Sequence, residues 1–163
     1  MSFGKFKRCY LGKYPEKKYN CTLPNKSKHS PDLAWHIIRT YIKGYHLDSQ
    51  LRLEDYQKLN NRERSVSEEE YKDVLENIWQ KWYSKFYDKG YFWDDQDLIR
   101  YVLQKVQTFP RSPVIFCDEV QDFTRIELDL IWQLSSFTKY DLTGQTNIPF
   151  AFAGDPNQTV HPT

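Results

Sequence analysis

Two short segments of this chain have the composition to bind a metal and a phosphate. Asp118-Glu119 follows directly after the apolar run 114–117, and Gly154-Asp155 follows a second apolar run at 148–153. Parallel strands present their carboxyl ends at one edge of a sheet, where ligands collect. We therefore expect both segments to meet at one edge and to form a site for a divalent cation and a phosphate group.

Each polar residue of these segments has a role that its chemical type permits. Asp118 is placed to hold Mg²⁺, usually through water, because Mg²⁺ prefers oxygen ligands and keeps part of its hydration shell. Glu119 is placed to orient and deprotonate a water that attacks a terminal phosphate. Gln158 supplies an amide that can sense a phosphate oxygen. Each segment alone is also typical of a solvated helix start or a polar turn. Their joint position at two strand ends is what indicates a binding site.

The pattern of apolar residues predicts the elements that carry the two segments. Strands are expected at 114–117 and 148–153, and a capping box of Thr124 with Glu127 predicts a helix between them. A strand–helix–strand unit of this length forms a right-handed parallel crossover. Residues 111–163 are therefore expected to form part of a parallel α/β sheet.

A mainly helical segment is predicted upstream, at residues 1–110. Capping residues and apolar spacing mark the helices, which are expected from Ser30 to Gly44, from Leu53 to Leu59, from Ser67 to Gly90 and from Asp94 or Asp95 to Val106. Residues 1–29 contain Pro15 and Pro24 and are expected to be irregular or to form short strands. The expected fold class is thus α/β, with a helical segment preceding part of a parallel sheet.

Charge is distributed unevenly along a chain whose formal net charge is only +1. Residues 1–28 carry eight basic residues against one acid, and residues 117–163 carry seven acids against two basic residues. A basic arm suggests contact with a polyanion, and an acidic end suggests a cation site. In the arm, Lys5, Lys7 and Arg8 alternate with aromatic residues. A non-catalytic module for single-stranded nucleic acid is therefore the alternative function, with basic groups on phosphates and rings on bases.

The cysteines give little support to a metal site or a disulfide framework. Cys9, Cys21 and Cys117 are widely spaced and form no zinc-ligand pattern. Their odd number argues against a set of disulfides, and no apolar run is long enough to span a bilayer. A reduced, cytoplasmic protein is therefore expected.

Two motifs resemble signature sequences of the UvrD/Rep-type superfamily 1 DNA helicases. Asp118-Glu119-Val120-Gln121-Asp122 is similar to their Walker B motif, Asp-Glu-x-Gln-Asp. Residues 154–160, Gly-Asp-Pro-Asn-Gln-Thr-Val, are similar to their next motif, Gly-Asp-x-x-Gln-x followed by an aliphatic residue. The segments 41–44 and 93–98 resemble sequences that precede Walker B in a divergent branch of the family.

The resemblance implies a RecA-like P-loop NTPase lobe over 111–163, which uses ATP and Mg²⁺ and moves along DNA, preferably single-stranded. The roles that it implies are Mg²⁺ coordination by Asp118, activation of the hydrolytic water by Glu119, contact with the γ-phosphate by Gln121 and Gln158, ordering of the second motif loop by Asp155, and stacking on a DNA base by His161. Histidine stacks less strongly than the aromatic residue that many members carry, and Pro162 departs from the family pattern.

The other half of such an ATP site is missing from the sequence. There is no Gly-x-x-x-x-Gly-Lys-[Ser/Thr] loop, which would cradle the phosphates and place a lysine on the β- and γ-oxygens. No second helicase lobe with its arginine finger follows. The expectation is therefore a fragment of a helicase, comprising a 1B-like insertion at 1–110 and a partial lobe at 111–163. Its partners would be DNA and the remainder of the helicase, and alone it would not hydrolyse ATP.

Two further alternatives rest on other groups of residues. The first is a two-metal nuclease site, made of Asp118, Glu119, Asp122 and Asp155; against it, no lysine accompanies the cluster. The second concerns the aromatic residues of the helix that begins at Ser67. They are expected in the core, but any that are exposed would form an apolar patch able to pair two copies of the chain.

Overall fold

The computed structural model describes residues 1–13, 21–88, 93–136 and 150–155. Its α-helices are α1 (Phe3–Tyr10), α2 (Pro31–Ile37), α3 (Leu53–Tyr56), α4 (Glu68–Asp73), α5 (Ser84–Asp88), α6 (Asp95–Leu103) and α7 (Arg125–Leu134). The π-helical segments Ile38–Lys43 and Val74–Tyr83 continue α2 and α4, and 3₁₀ turns cover Val106–Thr108 and Val120–Asp122. The strands are β1 (Ile115–Cys117) and β2 (Phe150–Phe152).

The predicted helix starts are confirmed by their caps. Ser30 accepts a hydrogen bond from the backbone N–H of Leu33 at 3.1 Å and so begins α2. Ser67, Asp94 and Thr124 begin α4, α6 and α7, and each forms a reciprocal capping box with the acid three residues further on. A side-chain cap of this kind stabilises a helix by roughly 1 kcal/mol. These starts are therefore fixed by local hydrogen bonds.

The prediction of irregular structure at the N-terminus is wrong for α1. Ser2 caps this helix, and Phe6, Cys9 and Tyr10 form its buried face. The Phe6 ring centroid lies 4.9 Å from that of Trp35 and 5.5 Å from that of Trp82. Burial against this aromatic core stabilises α1. In the sequence its short apolar stripe is interrupted by Lys5, Lys7 and Arg8, so the helix is not evident from the pattern.

The main core of the described residues is rich in aromatic side chains. Tyr56 and Tyr71 stack with their ring centroids 4.0 Å apart. Trp79, Trp82 and Tyr83 are buried among the other core residues. These three side chains therefore do not form the exposed patch that would pair two copies of the chain.

A second apolar cluster joins the helical segment to the segment that carries the strands. Leu103 and Val106, at and after the end of α6, pack with Ile126 and Leu130 of α7. Residues on both sides of the predicted boundary at residue 110 therefore contribute to one apolar cluster. Through this contact α6 supports α7, the helix that follows the first acid-bearing segment.

The predicted parallel pairing of the two strands is confirmed. Ile115 is in register with Phe150, and Cys117 is in register with Phe152. The resulting mixture of helices and a two-stranded parallel sheet agrees with an α/β class.

The expectation that all cysteines are reduced is wrong for Cys9 and Cys21, which form a disulfide. Both are buried in the main core. Cys117 is a free thiol. In the part of the chain that the structure describes, no helix has the length and apolar character needed to cross a membrane.

Candidate phosphate and metal site

The two acid-bearing segments meet at the carboxyl edge of the sheet, as the sequence predicts. The N–H of Ala153 donates to the carbonyl of Cys117 at 2.9 Å, and the N–H of Val120 donates to the carbonyl of Ala153 at 3.0 Å. The second bond extends the ladder beyond both strands. It holds Asp118-Glu119 beside Gly154-Asp155.

The backbone of Glu119 is strained. Its φ of 53° and ψ of 42° lie in the left-handed region, which costs a residue with a Cβ atom roughly 1–2 kcal/mol. The N–H of Glu119 donates to a carboxylate oxygen of Asp118 at 2.9 Å. This turn leaves both carboxylates exposed and brings Val120 back to the ladder. Strain of this kind is concentrated at functional sites.

A substitution of Glu119 by glycine should reveal this strain. We expect Glu119→Gly to raise the free energy of unfolding by about 1 kcal/mol, because glycine adopts positive φ without a steric penalty. Chemical denaturation measures the change. The matched control is Glu76→Gly, at an exposed helical position, which should lower the free energy by about 1 kcal/mol. A loss of stability in both variants would show that Glu119 is held by favourable contacts rather than under strain.

Gln121 connects the two segments. Its Nε2 donates to a carboxylate oxygen of Glu119. A Cβ atom added to Gly154 would lie 2.2 Å from Oε1 of Gln121 and 3.3 Å from the backbone nitrogen of Val120. A side chain at 154 would therefore displace the amide of Gln121 and press on the backbone of Val120. In this arrangement Gln121 aims the carboxylate of Glu119, a contact that its position in the sequence does not reveal.

The candidate metal ligand at this edge is Asp118. Asp118 has an exposed carboxylate with one oxygen bonded to a backbone N–H. Mg²⁺ in phosphate sites is held by one or two carboxylates together with substrate oxygens and water. Within the described ranges, no three His, Cys, Asp or Glu side chains are grouped as metal ligands. The described residues thus give no support to the two-metal nuclease alternative.

Arg39 fixes the turn that follows Glu119 to the helical segment. Its Nη1 donates to the backbone carbonyl of Asp122 at 3.1 Å, and its Nη2 donates to both carboxylate oxygens of Glu127 at 2.7 and 3.0 Å. Its Nε donates to Asp95 at 2.9 Å. One guanidinium therefore ties the helix after α2 to α6, to α7 and to the turn. The sequence alone gives no sign of this role.

A buried ion cluster joins the segments 41–44 and 93–98. Nζ of Lys43 lies 2.6 Å from a carboxylate oxygen of Asp94 and 2.6 Å from one of Asp97. The hydroxyl of Tyr83 donates to Asp94 at 2.8 Å. Lys43, Asp94 and Asp97 are only 2%, 7% and 5% exposed. The cluster clamps the helix that ends at Lys43 to the start of α6.

The two carboxylates of this cluster respond differently to their surroundings. Burial acts to raise the pKa of Asp94, but the charge and hydrogen bond of Lys43 outweigh it and lower that pKa. Burial, followed by the charge of Asp94, raises the pKa of Asp97. One ammonium group therefore stabilises Asp94 as a carboxylate more effectively than Asp97.

The remaining predicted residues are placed as follows. Gln158 and His161 lie outside the described residues. Lys5, Lys7 and Arg8 lie on α1, where Nζ of Lys7 is 3.3 Å from a carboxylate oxygen of Asp32. Two rings of this arm, those of Phe6 and Tyr10, are buried in the core and are not available to stack on bases.

Comparison with known proteins leaves the family of this chain open. No protein-family model matches it, and no solved structure matches it with significance.

Proposed function

We propose that this chain is part of an ATP-dependent DNA helicase or translocase and supplies the magnesium-binding and water-activating half of its ATP site. The observation that carries the proposal is the continuation of the parallel ladder by Val120 and Ala153. It brings Asp118-Glu119 and Gly154-Asp155 to one edge. Both motifs that resemble the helicase signatures therefore begin where a bound nucleotide phosphate would lie.

The described side chains divide the chemistry between them. Asp118 would hold the Mg²⁺ that accompanies ATP, and this ion would neutralise charge that develops on the phosphate oxygens. Glu119 would accept a proton from the attacking water and orient it toward the γ-phosphate. Gln121 holds Glu119 through its amide, so it would keep the base aimed. Asp155 is a further proposed nucleotide contact. Outside the described residues, Gln158 is proposed to contact the nucleotide and His161 to contact a DNA base.

The partners follow from what the sequence lacks. A Gly-x-x-x-x-Gly-Lys-[Ser/Thr] loop and an arginine-bearing second lobe would come from further sequence, and the track would be single-stranded DNA. We place the activity in the cytoplasm, where ATP and DNA are both present. The 1B-like segment at 1–110 and the partial RecA-like lobe at 111–163 would then belong to one motor.

The test compares this chain alone with a longer polypeptide of its reading frame, which the proposal requires to include a phosphate-binding loop. The chain alone should show no steady ATP hydrolysis. The longer polypeptide should show DNA-stimulated turnover, and Glu119→Gln should reduce its kcat at least about 100-fold because the base is lost. The isosteric control Glu76→Gln should leave kcat unchanged.

Two results would contradict the proposal. Steady turnover by the chain alone that Glu119→Gln abolishes would show that no separate phosphate-binding half is needed. Full turnover by the Glu119→Gln variant of the longer polypeptide would remove the proposed base. Asp118→Asn provides a second readout, since it should raise the Mg²⁺ concentration required for half-maximal turnover.

A further inference from the structure

We propose that a cavity between α1, α2 and the turn after Glu119 binds one unstacked base of a single-stranded nucleic acid, with Lys7 of α1 on an adjoining phosphate. The binding itself does not depend on the ATP site. Its coupling to hydrolysis rests on the function proposed above.

The cavity has a size and lining suited to a planar ligand. Its volume is about 430 Å³, which is within the range of roughly 300–1,000 Å³ that is typical of small-molecule pockets. The residues that matter here are Phe3, Trp35, His36, Arg39, Gln121 and Phe123. Three of them carry large aromatic rings from three separate elements. Such rings stack on any base, because every base has a π-face.

The aromatic wall is held in place by the core behind it. The Trp35 ring centroid lies 4.9 Å from that of Phe6 and 6.0 Å from that of Phe3. Phe6 is completely buried, whereas Trp35 and Phe3 are half-buried. The part of the wall that a ligand can reach therefore belongs to Phe3, Trp35 and Phe123. A preformed wall costs little ordering when a base binds.

Positive charge lies beside this wall. Nζ of Lys7 is 5.4 Å from the centroid of the Phe3 ring and 3.3 Å from a carboxylate oxygen of Asp32, and both of these residues line the cavity. Lys7 follows Phe3 by four residues and shares its face of α1, whereas Lys5 and Arg8 lie on other faces of this helix. A phosphate next to a base in the cavity would compete with Asp32 for Lys7. The lining also includes the acids Asp32 and Asp122, so Lys7, at the edge of the cavity, is the cation proposed to meet a phosphate. Aromatic rings beside a lysine favour a nucleic acid over an uncharged apolar partner.

The opposite wall reaches the candidate ATP site. Gln121 lines the cavity and holds the carboxylate of Glu119 through its amide. Arg39 also lines it and binds the carbonyl of Asp122. A base in the cavity would therefore contact the residue that aims the proposed water-activating group. Occupancy would then change the rate of hydrolysis without any contact between nucleic acid and ATP.

The experiment measures fluorescence anisotropy of a labelled oligothymidylate with this chain in the absence of ATP. Phe123→Ala should weaken binding about 5- to 150-fold, the effect of losing one stacked base. Phe109→Ala is the matched control, because Phe109 is exposed and lies outside the lining of the cavity. Phe123→Leu keeps apolar volume without an aromatic face and should also weaken binding if the alanine variant is unstable.

The salt dependence tests the phosphate contact separately. Lys7→Gln should reduce the slope of log Kd against log salt concentration by about 0.7, the value for one phosphate contact on a single strand. Lys105→Gln is the control, since Lys105 similarly lies over a ring, with Nζ 4.5 Å from the Tyr101 centroid. It should leave the slope unchanged.

The outcomes separate this inference from the proposed function. No binding of oligothymidylate, equal binding of duplex and single strand, or unchanged affinity of both Phe123 variants would overturn the inference. Glu76→Gln, which lies outside the lining of the cavity and outside the candidate ATP site, should bind oligothymidylate as the wild type does. If Glu119→Gln abolishes hydrolysis while both Phe123 variants keep their affinity for oligothymidylate, the proposed function stands and the cavity proposal fails. If the Phe123 variants lose affinity for oligothymidylate while Glu119→Gln leaves turnover unchanged, the chain is a binding module.

Discussion

Replacing Lys43 by methionine is expected to lower the free energy of unfolding by about 3–5 kcal/mol, because two buried carboxylates lose their counter-charge. Asp94 and Asp97 each lie 2.6 Å from the Lys43 ammonium group. Without it, the folded state must either bury unpaired charge or take up protons. Chemical denaturation at neutral pH measures the loss.

The pH dependence of this variant provides a sharper test. In the native cluster the pKa of Asp94 is lowered, so Asp94 contributes stability above its unfolded pKa that is lost as pH falls. In Lys43→Met, burial without the ammonium group should raise the pKa of both carboxyls. The folded state then binds protons more readily than the unfolded state. The deficit should therefore shrink as pH falls toward the ordinary aspartate range.

An exposed lysine and a charge-neutral cluster serve as controls. Lys58 pairs with Asp55 at the surface, and Lys58→Met should change the free energy by less than about 1 kcal/mol. The triple variant Lys43→Met, Asp94→Asn and Asp97→Asn should recover part of the loss, because no buried charge remains. A loss in the single variant that is small and independent of pH would contradict the clamp described for this cluster.

Removal of the disulfide is expected to lower the free energy of unfolding by about 3 kcal/mol. Cys9 and Cys21 are 12 residues apart in sequence. In the chain-entropy treatment, closing a loop of that length reduces the conformational entropy of the unfolded chain, and this reduction accounts for the stabilisation. The double variant Cys9→Ser and Cys21→Ser, or the addition of reductant, should lower the denaturation midpoint. Cys117→Ser is the control. It should leave the response to reductant intact.

The disulfide also bears on the proposed nucleic-acid contact. Trp82 donates its indole N–H to the carbonyl of Cys21 at 3.0 Å, and Cys9 belongs to α1. The disulfide therefore links α1, the helix that carries Phe3 and Lys7, to the core. When the bridge is reduced, packing alone must hold α1. Equal denaturation midpoints with and without reductant would show that packing is sufficient.

The elements that the sequence predicts correctly are those that depend on neighbouring residues. Ser30, Ser67, Asp94 and Thr124 mark helix starts because each cap bonds to a backbone group two or three residues away. The apolar runs before Asp118 and Gly154 predict strands because a short run of consecutive apolar residues is a local signal of a buried strand. A crossover long enough to contain a helix favours parallel pairing of the strands that it joins, so the meeting of the two acid-bearing segments was also predictable.

Contacts between distant residues decide the rest. Helix α1 depends on burial of Phe6 against Trp35 and Trp82, and the disulfide depends on the approach that this burial permits. The left-handed backbone of Glu119 is imposed by the ladder bond from Val120 to Ala153. By itself, the sequence determined the starts of α2, α4, α6 and α7, the two strands and the acids that follow them, because local hydrogen bonds and apolar periodicity suffice for that. Only the tertiary structure decided how Lys43, Arg39 and Gln121 are used, because their partners are brought to them by packing.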